Sequence, residues 1–423
     1  MTDRSAENRP LVVVSLDGLA SSFLGPYGNT WFPTPGFDAL AADAMLFERV
    51  FAPSIDPTET LARCWQVVPG AVAATDSLAR RLIGRGVNCR LVTDEPSIGE
   101  LGRRSGFDTI LLKDDASSGQ ARAADLDSTD ALRKIGGVLR TLERRGADGL
   151  TWVHLSGPAR IWDAPLDLQQ ELRDDDDPEP GEWLAPPVDL DPTKLDPAAA
   201  EDARFRLQLA YAAQVRVWDA AIEFLRDGLE ALAADDAESA DGPSGAVRLV
   251  VVGTRGFATG LHGPCGDFDR AGDETLQVPV LIATAPDDAG LRVDRLGSLE
   301  ELSALLESEA FSARLGPEPP STERLDPWSA CRRDLRPTGP DRLFWSTSNG
   351  ASIRTVHWLL TLDRSGTASL FVKPDDRFEM NDVAGRLPHE VELLSAALRA
   401  WEVDRSPGSL AFTSPLPPPP GAA

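Results

Sequence analysis

The chain has 423 residues, 42% hydrophobic and 26% charged, the composition of a protein with a packed core and not of a disordered or fibrous one. Its 67 Asp and Glu against 42 Lys and Arg give a net charge of −25, and no basic cluster stands against that field, so neither nucleic acid nor a membrane surface is expected as a partner. Cys64, Cys89, Cys265 and Cys331 follow no CxxC or zinc-ligand spacing, which rules out reading them as a disulfide framework or a metal knuckle.

Residues 1–10 are polar and expected to be disordered. The apolar run Leu11–Leu16 that follows is too short for a signal segment or a membrane span, so cytoplasmic residence is expected. That run reads as a buried first strand. In "TPGFDALAADAMLF", Thr34 is an N-cap, Pro35 occupies the first helical position, and Phe37, Leu40, Ala41 and Ala44 form one face of a helix. A second helix begins near Asp76, turns Leu78, Leu82 and Ile83 inward and stops at Gly86, before a strand over 87–93. Ser97 with Glu100 predicts a capping box and a short helix up to Gly106, ahead of the strand "FDTILL". A helix over 129–145 carries Leu132, Ile135, Leu139 and Leu142, and "GLTWVHLSG" is the next strand.

Residues 173–198 are acidic and Pro-rich, without the alternating ligands and central Gly of a calcium loop, and read as a surface insertion. The helix over 211–232 shows Tyr211, Val215, Trp218, Ile222, Leu225, Leu229 and Leu232 at steps of four and three. Strands over 248–253 and 278–285 follow, then a helix capped by Ser298 and Glu301. Residues 316–341 read as a linker, 342–404 as a C-terminal hairpin turning at Ser365-Gly366 plus a closing helix, and 405–423 as a disordered Pro-rich tail. Strands alternating with amphipathic helices over 11–315 predict an α/β fold, a mostly parallel central sheet flanked by helices on both faces, with a small C-terminal α+β subdomain.

In this order the segments resemble the sulfatase family of the alkaline phosphatase superfamily. "VVSLDGLASSFLGPYGN" is similar to its Asp-x-Leu-Arg-x-Asp-x-Leu-Gly-x-Tyr-Gly turn, "TPGFDALAADAMLFERVFAPS" to its Thr-Pro-Asn-Leu-Asp-x-Leu-Ala helix and the strand feeding the nucleophile, and "VVVGTRGFATGLHG" to its Ser-Asp-His-Gly-Glu…Gly-Glu-His-Gly segment. "LQVPVLIATAP" resembles the next strand, and "IRTVHWLL" with "LFVKPDDRFEMNDVAGRLPHEVELLSAALRAW" the C-terminal hairpin and helix. The resemblance implies a divalent cation, Ca or Mg, held by carboxylates at two strand ends. It also implies a Cys or Ser matured to formylglycine and Arg, Lys and His on the sulfuryl oxygens, since that transfer needs concentrated positive charge.

Set against that pattern, Asp17 matches the first metal carboxylate, but its frequent partner falls on Gly18, and the family's second Asp-His falls on Thr254-Arg255. Pro57 stands at the nucleophile position of Cys/Ser-x-Pro-x-Arg, with Leu61 in place of the Arg; sliding the match makes Thr58 or Thr60 the candidate nucleophile. A helix N-cap is the competing reading of "DPTET". No Gly-Lys-Trp-His follows "LVTDEPS"; His262 matches the His of Gly-Glu-His-Gly, while His154 reads as a hydrogen-bonded core residue and His357 and His389 as structural or surface residues. The Arg255 guanidinium is expected to stand where the cation would have been, paired with Asp17. Two functions stay open. One is a pseudo-sulfatase needing no cofactor, whose converted pocket at Asp17, Gly18, Pro57, Thr254 and Arg255 binds a small anion, another small molecule or a protein. The other is an active ester hydrolase using Asp17, a divalent cation, His262 and Thr58 or Thr60.

Overall fold

The structure is a computed structural model and describes residues 10–67, 76–114, 118–146, 148–238, 248–266, 269–284, 288–307 and 340–404. The N-terminus, most of the expected linker over 316–341 and the tail 405–423 lie outside the described residues.

Strand β1 (Leu11–Leu16) is buried along its whole length. Val12, Val14 and Leu16 enter one apolar cluster, and Leu11 and Val13 enter another on the opposite face. A strand apolar on both faces belongs in the middle of a covered sheet. There it pairs in parallel with β5 (Leu150–Leu155) and β6 (Arg248–Gly253). Adding β2 (Met45–Phe51), β3 (Cys89–Thr93), β4 (Asp108–Leu111), β7 (Gln277–Ala283) and β8 (Arg292–Ser298), the order is β4-β3-β5-β1-β6-β7-β2-β8. Strand β7 runs antiparallel to both neighbours, and the other pairings are parallel. The ends of β1, β3, β5 and β6 therefore lie along one edge, the usual position for a site in an open α/β sheet.

Helices α1 (Pro35–Asp43), α5 (Asp130–Arg145) and α7 (Pro197–Glu238) cover one face through Phe37, Leu40, Ile135, Val138, Trp218 and Ile222. Helices α2 (Pro57–Cys64), α3 (Leu78–Gly84) and α4 (Pro96–Ser105) cover the other through Leu61, Leu82 and Leu101, joined by Leu302, Leu305 and Leu306 of a helical turn over 302–307. The C-terminal part is an antiparallel sheet of β9 (Arg342–Thr347), β10 (Gly350–Thr355), β11 (Trp358–Asp363) and β12 (Ala368–Val372). Leu394 and Leu398 of the final helix, Pro388–Asp404, pack on it against Ile353 and Leu360. The expected α/β architecture with a small α+β appendage is what the chain adopts.

Several local expectations differ from the structure. Helix α4 starts at Pro96 after Glu95, one residue before the Ser97 cap, because Pro sets the helical φ at the first position. Ile83 is 45% exposed, since the inward face of α3 is complete with Leu78, Ala79 and Leu82. Helix α7 runs 42 residues and begins well before 211, with Asp196 accepting from Ala199 N at its start. Strands β8 and β9 escaped the hydrophobic pattern. "RVDRLGS" carries three charges and no alternation, yet it forms the sheet edge because β2 offers it a free side.

Candidate functional site

Asp17 follows the last residue of β1, and Thr254 and Arg255 follow β6, its parallel neighbour, so their side chains emerge next to each other. The Arg255 guanidinium clasps the Asp17 carboxylate with two bonds, Nε to Oδ1 and Nη2 to Oδ2, both 2.8 Å. The Thr254 hydroxyl donates to Oδ1 at 3.1 Å. Both side chains are largely buried, 9% exposed for Asp17 and 15% for Arg255. A two-pronged guanidinium–carboxylate contact is the strongest geometry available to such a pair. Arg255 Nη1 also donates to Ile55 O at 3.2 Å, which ties the loop after β2 to this strand end.

The backbone closes tightly around Asp17. Gly18 adopts φ +73°, and a Cβ there would lie 2.8 Å from Ala159 Cβ and 2.9 Å from Ala159 N. Gly157, at φ +50°, passes so near that a Cβ would lie 2.4 Å from Asp17 O. The position aligned with a second metal carboxylate thus has neither the conformation nor the room for a side chain. The turn is held from α7, where the Tyr211 hydroxyl donates to Gly18 O at 2.6 Å and accepts from Ala20 N at 2.9 Å. The Tyr211 ring stacks on Phe257 with centroids 4.4 Å apart.

The divalent cation implied by the resemblance does not fit these residues. Both Asp17 oxygens already face a fixed positive charge, Thr254 offers a neutral hydroxyl turned toward Asp17, and calcium or magnesium needs six or more oxygen ligands, in a shell that a guanidinium repels. Among the described residues no group of three His, Cys, Asp or Glu side chains is arranged to hold a metal ion.

A second charged cluster sits at the end of β3. Asp94 accepts from Lys134 Nζ at 2.5 Å and from Ser156 N and Oγ at 2.9 and 2.6 Å. Lys134 also contacts Asp130 at 2.6 Å and Asp114 at 3.4 Å, and Arg160 bridges Asp94 and Asp114. Burial pushes the Asp94 carboxyl up, but the Lys134 charge with hydrogen bonds from Lys134 and Ser156 overcomes this and holds it below its ordinary value. Burial likewise opposes the Lys134 charge, and Asp94 and Asp130 more than restore it. Glu95, beside them, is raised first by burial and then by the Asp94 charge. An ammonium from α5, and not from the segment after β3, reaches this strand end. The one signal for it in the sequence was an acid–base pair four residues apart, Asp130 and Lys134, on the face shared with Ala131 and Ile135.

The candidate nucleophiles lie in the loop and helix after β2. Asp56 caps α2, accepting from Thr58 N at 2.7 Å and Glu59 N at 3.2 Å, and Pro57 takes the first helical position. Thr60 is fully buried, and its hydroxyl donates to Ser54 O at 3.0 Å. Thr58 is half-buried and is the hydroxyl of the two that reaches solvent. His154 is buried with Nδ1 3.0 Å from Ser15 Oγ, which accepts the Trp152 indole N–H at 2.9 Å. Burial holds that imidazole below its ordinary pKa. His262 is not among the groups bonded to Asp17; its Nε2 lies 2.8 Å from Phe378 O, and it lines a separate cavity.

No family model and no curated protein matches the sequence. Solved structures do match. A putative sulfatase from Bacteroides thetaiotaomicron superimposes with a TM-score of 0.66 at 14% identity, covering 93% of this chain and 92% of that one. The phosphonate monoester hydrolase of Agrobacterium radiobacter gives 0.63 at 15% identity over 94% and 96%. That of Silicibacter pomeroyi gives 0.63 at 13% over 95% and 97%. This end-to-end superposition leads to one conclusion: the chain has the fold of the sulfatase and phosphonate monoester hydrolase structures.

Proposed function

We propose that this chain is a pseudoenzyme on the sulfatase fold, a binding protein that does not turn over sulfuric or phosphoric esters. The observation that carries the reading is the Asp17–Arg255 pair, a guanidinium standing in the place of a catalytic cation. The surroundings agree with it. Ester cleavage requires positive charge left free for the substrate's non-bridging oxygens. At this edge Arg255, Lys134 and Arg160 are each engaged by Asp17, Asp94, Asp114 or Asp130, so three cations face four carboxylates. The buried Thr60 hydroxyl is already donated, and the Asp56 carboxylate beside Thr58 accepts from the backbone N–H groups of Thr58 and Glu59 as a helix cap.

The test is metal analysis of the purified protein together with assays on aryl sulfate, aryl phosphate and aryl phosphonate esters, using Asp17→Ala and Thr58→Ala as controls. Substoichiometric metal and no turnover above the controls is the expected result. One bound divalent ion per chain with turnover lost in either variant would establish the hydrolase reading instead. Gly18→Asp, which restores the family's second carboxylate by sequence, is expected to lower stability by about 1–3 kcal/mol in urea titrations without conferring metal binding, because the added side chain is strained and meets Ala159.

A further inference from the structure

A cavity of about 200 Å³ has neither Asp17 nor Arg255 in its lining. It is built by the loop after β1, the segments 259–262 and 273–277, and residues 377–379 of the C-terminal part. A second cavity adjoins it, and Asp273, Gln277 and Arg377 line both. Four arginines line the second cavity. Arg49 pairs with Asp294, Arg292 with Glu48 and Arg354 with Asp273. Arg377 has no hydrogen-bond or ion-pair partner for its guanidinium among the described residues, although it is half-buried; it lies over the Phe378 ring at 5.8 Å. Partial burial disfavours the guanidinium charge, and Asp273, the carboxylate whose field favours it, is itself paired with Arg354 and Lys373, which leaves the Arg377 fork open to an anion.

The remaining walls narrow the choice of anion. Trp31 and Phe378 are 40% and 55% exposed, which puts two aromatic side chains at the mouth, with Phe23 and Leu261 also lining the space. Trp31 is braced edge-on by Phe32 at 5.7 Å. Deeper in, Asp273 and Glu379 are neutralised by Arg354, Lys373 and Arg270. Glu274 keeps one oxygen on Thr259 N and Oγ1 at 2.7 and 2.6 Å, and burial raises its carboxyl toward the protonated form. A dianion would meet these carboxylates; a single planar carboxylate suits one guanidinium fork. We propose that this cavity binds a hydroxylated aromatic monocarboxylate, its carboxylate on Arg377, its ring against Trp31 and Phe378 and its hydroxyl toward Glu274. The first cavity by itself, below the roughly 300–1,000 Å³ of drug-sized sites, has room for one substituted ring, with Arg377 at its junction with the second. The site shares no residue with the Asp17 pair, so binding here and ester turnover there succeed or fail separately.

Isothermal titration calorimetry of the full chain with para-hydroxybenzoate, its neutral amide and glucuronate tests this. Saturable binding of para-hydroxybenzoate is expected, with the amide weaker by about tenfold or more. Arg377→Gln should cost a similar factor, Arg377→Lys should recover part of it, and Phe378→Ala should weaken binding of acid and amide alike. Because the Arg377 guanidinium has no hydrogen bond or ion pair among the described residues to lose, only a weak contact with the Phe378 ring, the Arg377→Gln variant should unfold close to the wild-type urea midpoint, which makes its binding result readable. No saturation up to about 10 mM, equal affinity for acid and amide, preference for glucuronate, or binding indifferent to Arg377→Gln would each overturn the proposal.

Discussion

Asp17→Ala is expected to destabilise the protein by about 3 kcal/mol, seen as a lower urea midpoint at unchanged slope. The reason is what remains behind. Arg255 would be left largely buried with its two-pronged partner gone, and an uncompensated interior charge costs more than the pair itself contributes. The double variant Asp17→Leu with Arg255→Met removes both charges and should recover most of the loss, giving a coupling energy well outside the error of either single change. The same experiment distinguishes an ion pair from a metal ligand. If Asp17 held a divalent ion, a chelator would reproduce the effect of Asp17→Ala on the wild type; with the guanidinium in place, a chelator should leave the wild-type midpoint unchanged. A chelator that lowers the wild-type midpoint as much as Asp17→Ala does would remove the basis for the pseudoenzyme reading.

Lys134→Met is expected to cost still more, about 3–5 kcal/mol, because one ammonium serves two buried carboxylates, Asp94 and Asp130. Its pH dependence follows from the sign of the shift. The Asp94 carboxyl is held below its ordinary value in the folded chain, so its contribution is complete above the unfolded value of 3.8 and is lost as pH falls through the lower folded value. Asp273 behaves alike: burial opposes its charge, and Arg354 and Lys373 overcome that and depress it. The part of the stability that these two carboxylates carry should therefore hold down to about pH 4 and be lost below it. In Lys134→Met the ammonium no longer opposes burial, Asp94 shifts upward, and the decline should begin at higher pH. A variant whose profile merely runs parallel to the wild type would show that Lys134 does not set the Asp94 ionisation.

The fold was legible because its main strands are apolar on both faces and its helices on one. β1, β5 and β6 read as continuous hydrophobic runs, and the Tyr211–Leu232 stripe marked α7. β8 and β9 lack that signal, and the first arm of the expected C-terminal hairpin is two antiparallel strands, β10 and β11; β8 takes its place from β2, remote in the chain, and β9 from the adjacent β10. In the site, the Asp17 and Arg255 positions could be read from the order of motifs, because adjacent parallel strands bring their C-terminal ends together. Lys134 and Arg377 could not. Each lies on an element whose local pattern says only helix or loop, and what each charge meets depends on segments up to hundreds of residues away.

By itself the sequence determined the layered α/β architecture, through hydrophobic periodicity, and the adjacency of Asp17 to Thr254 and Arg255 at neighbouring strand ends, through motif order. Only the tertiary structure decided how the remaining charges are matched. It made the expected Arg255–Asp17 contact two-pronged, brought Lys134 onto Asp94 as well as its helical neighbour Asp130, and left the Arg377 guanidinium facing a cavity. The physical reason is that electrostatic pairing is set by distance and burial, and a linear chain specifies neither until it has folded.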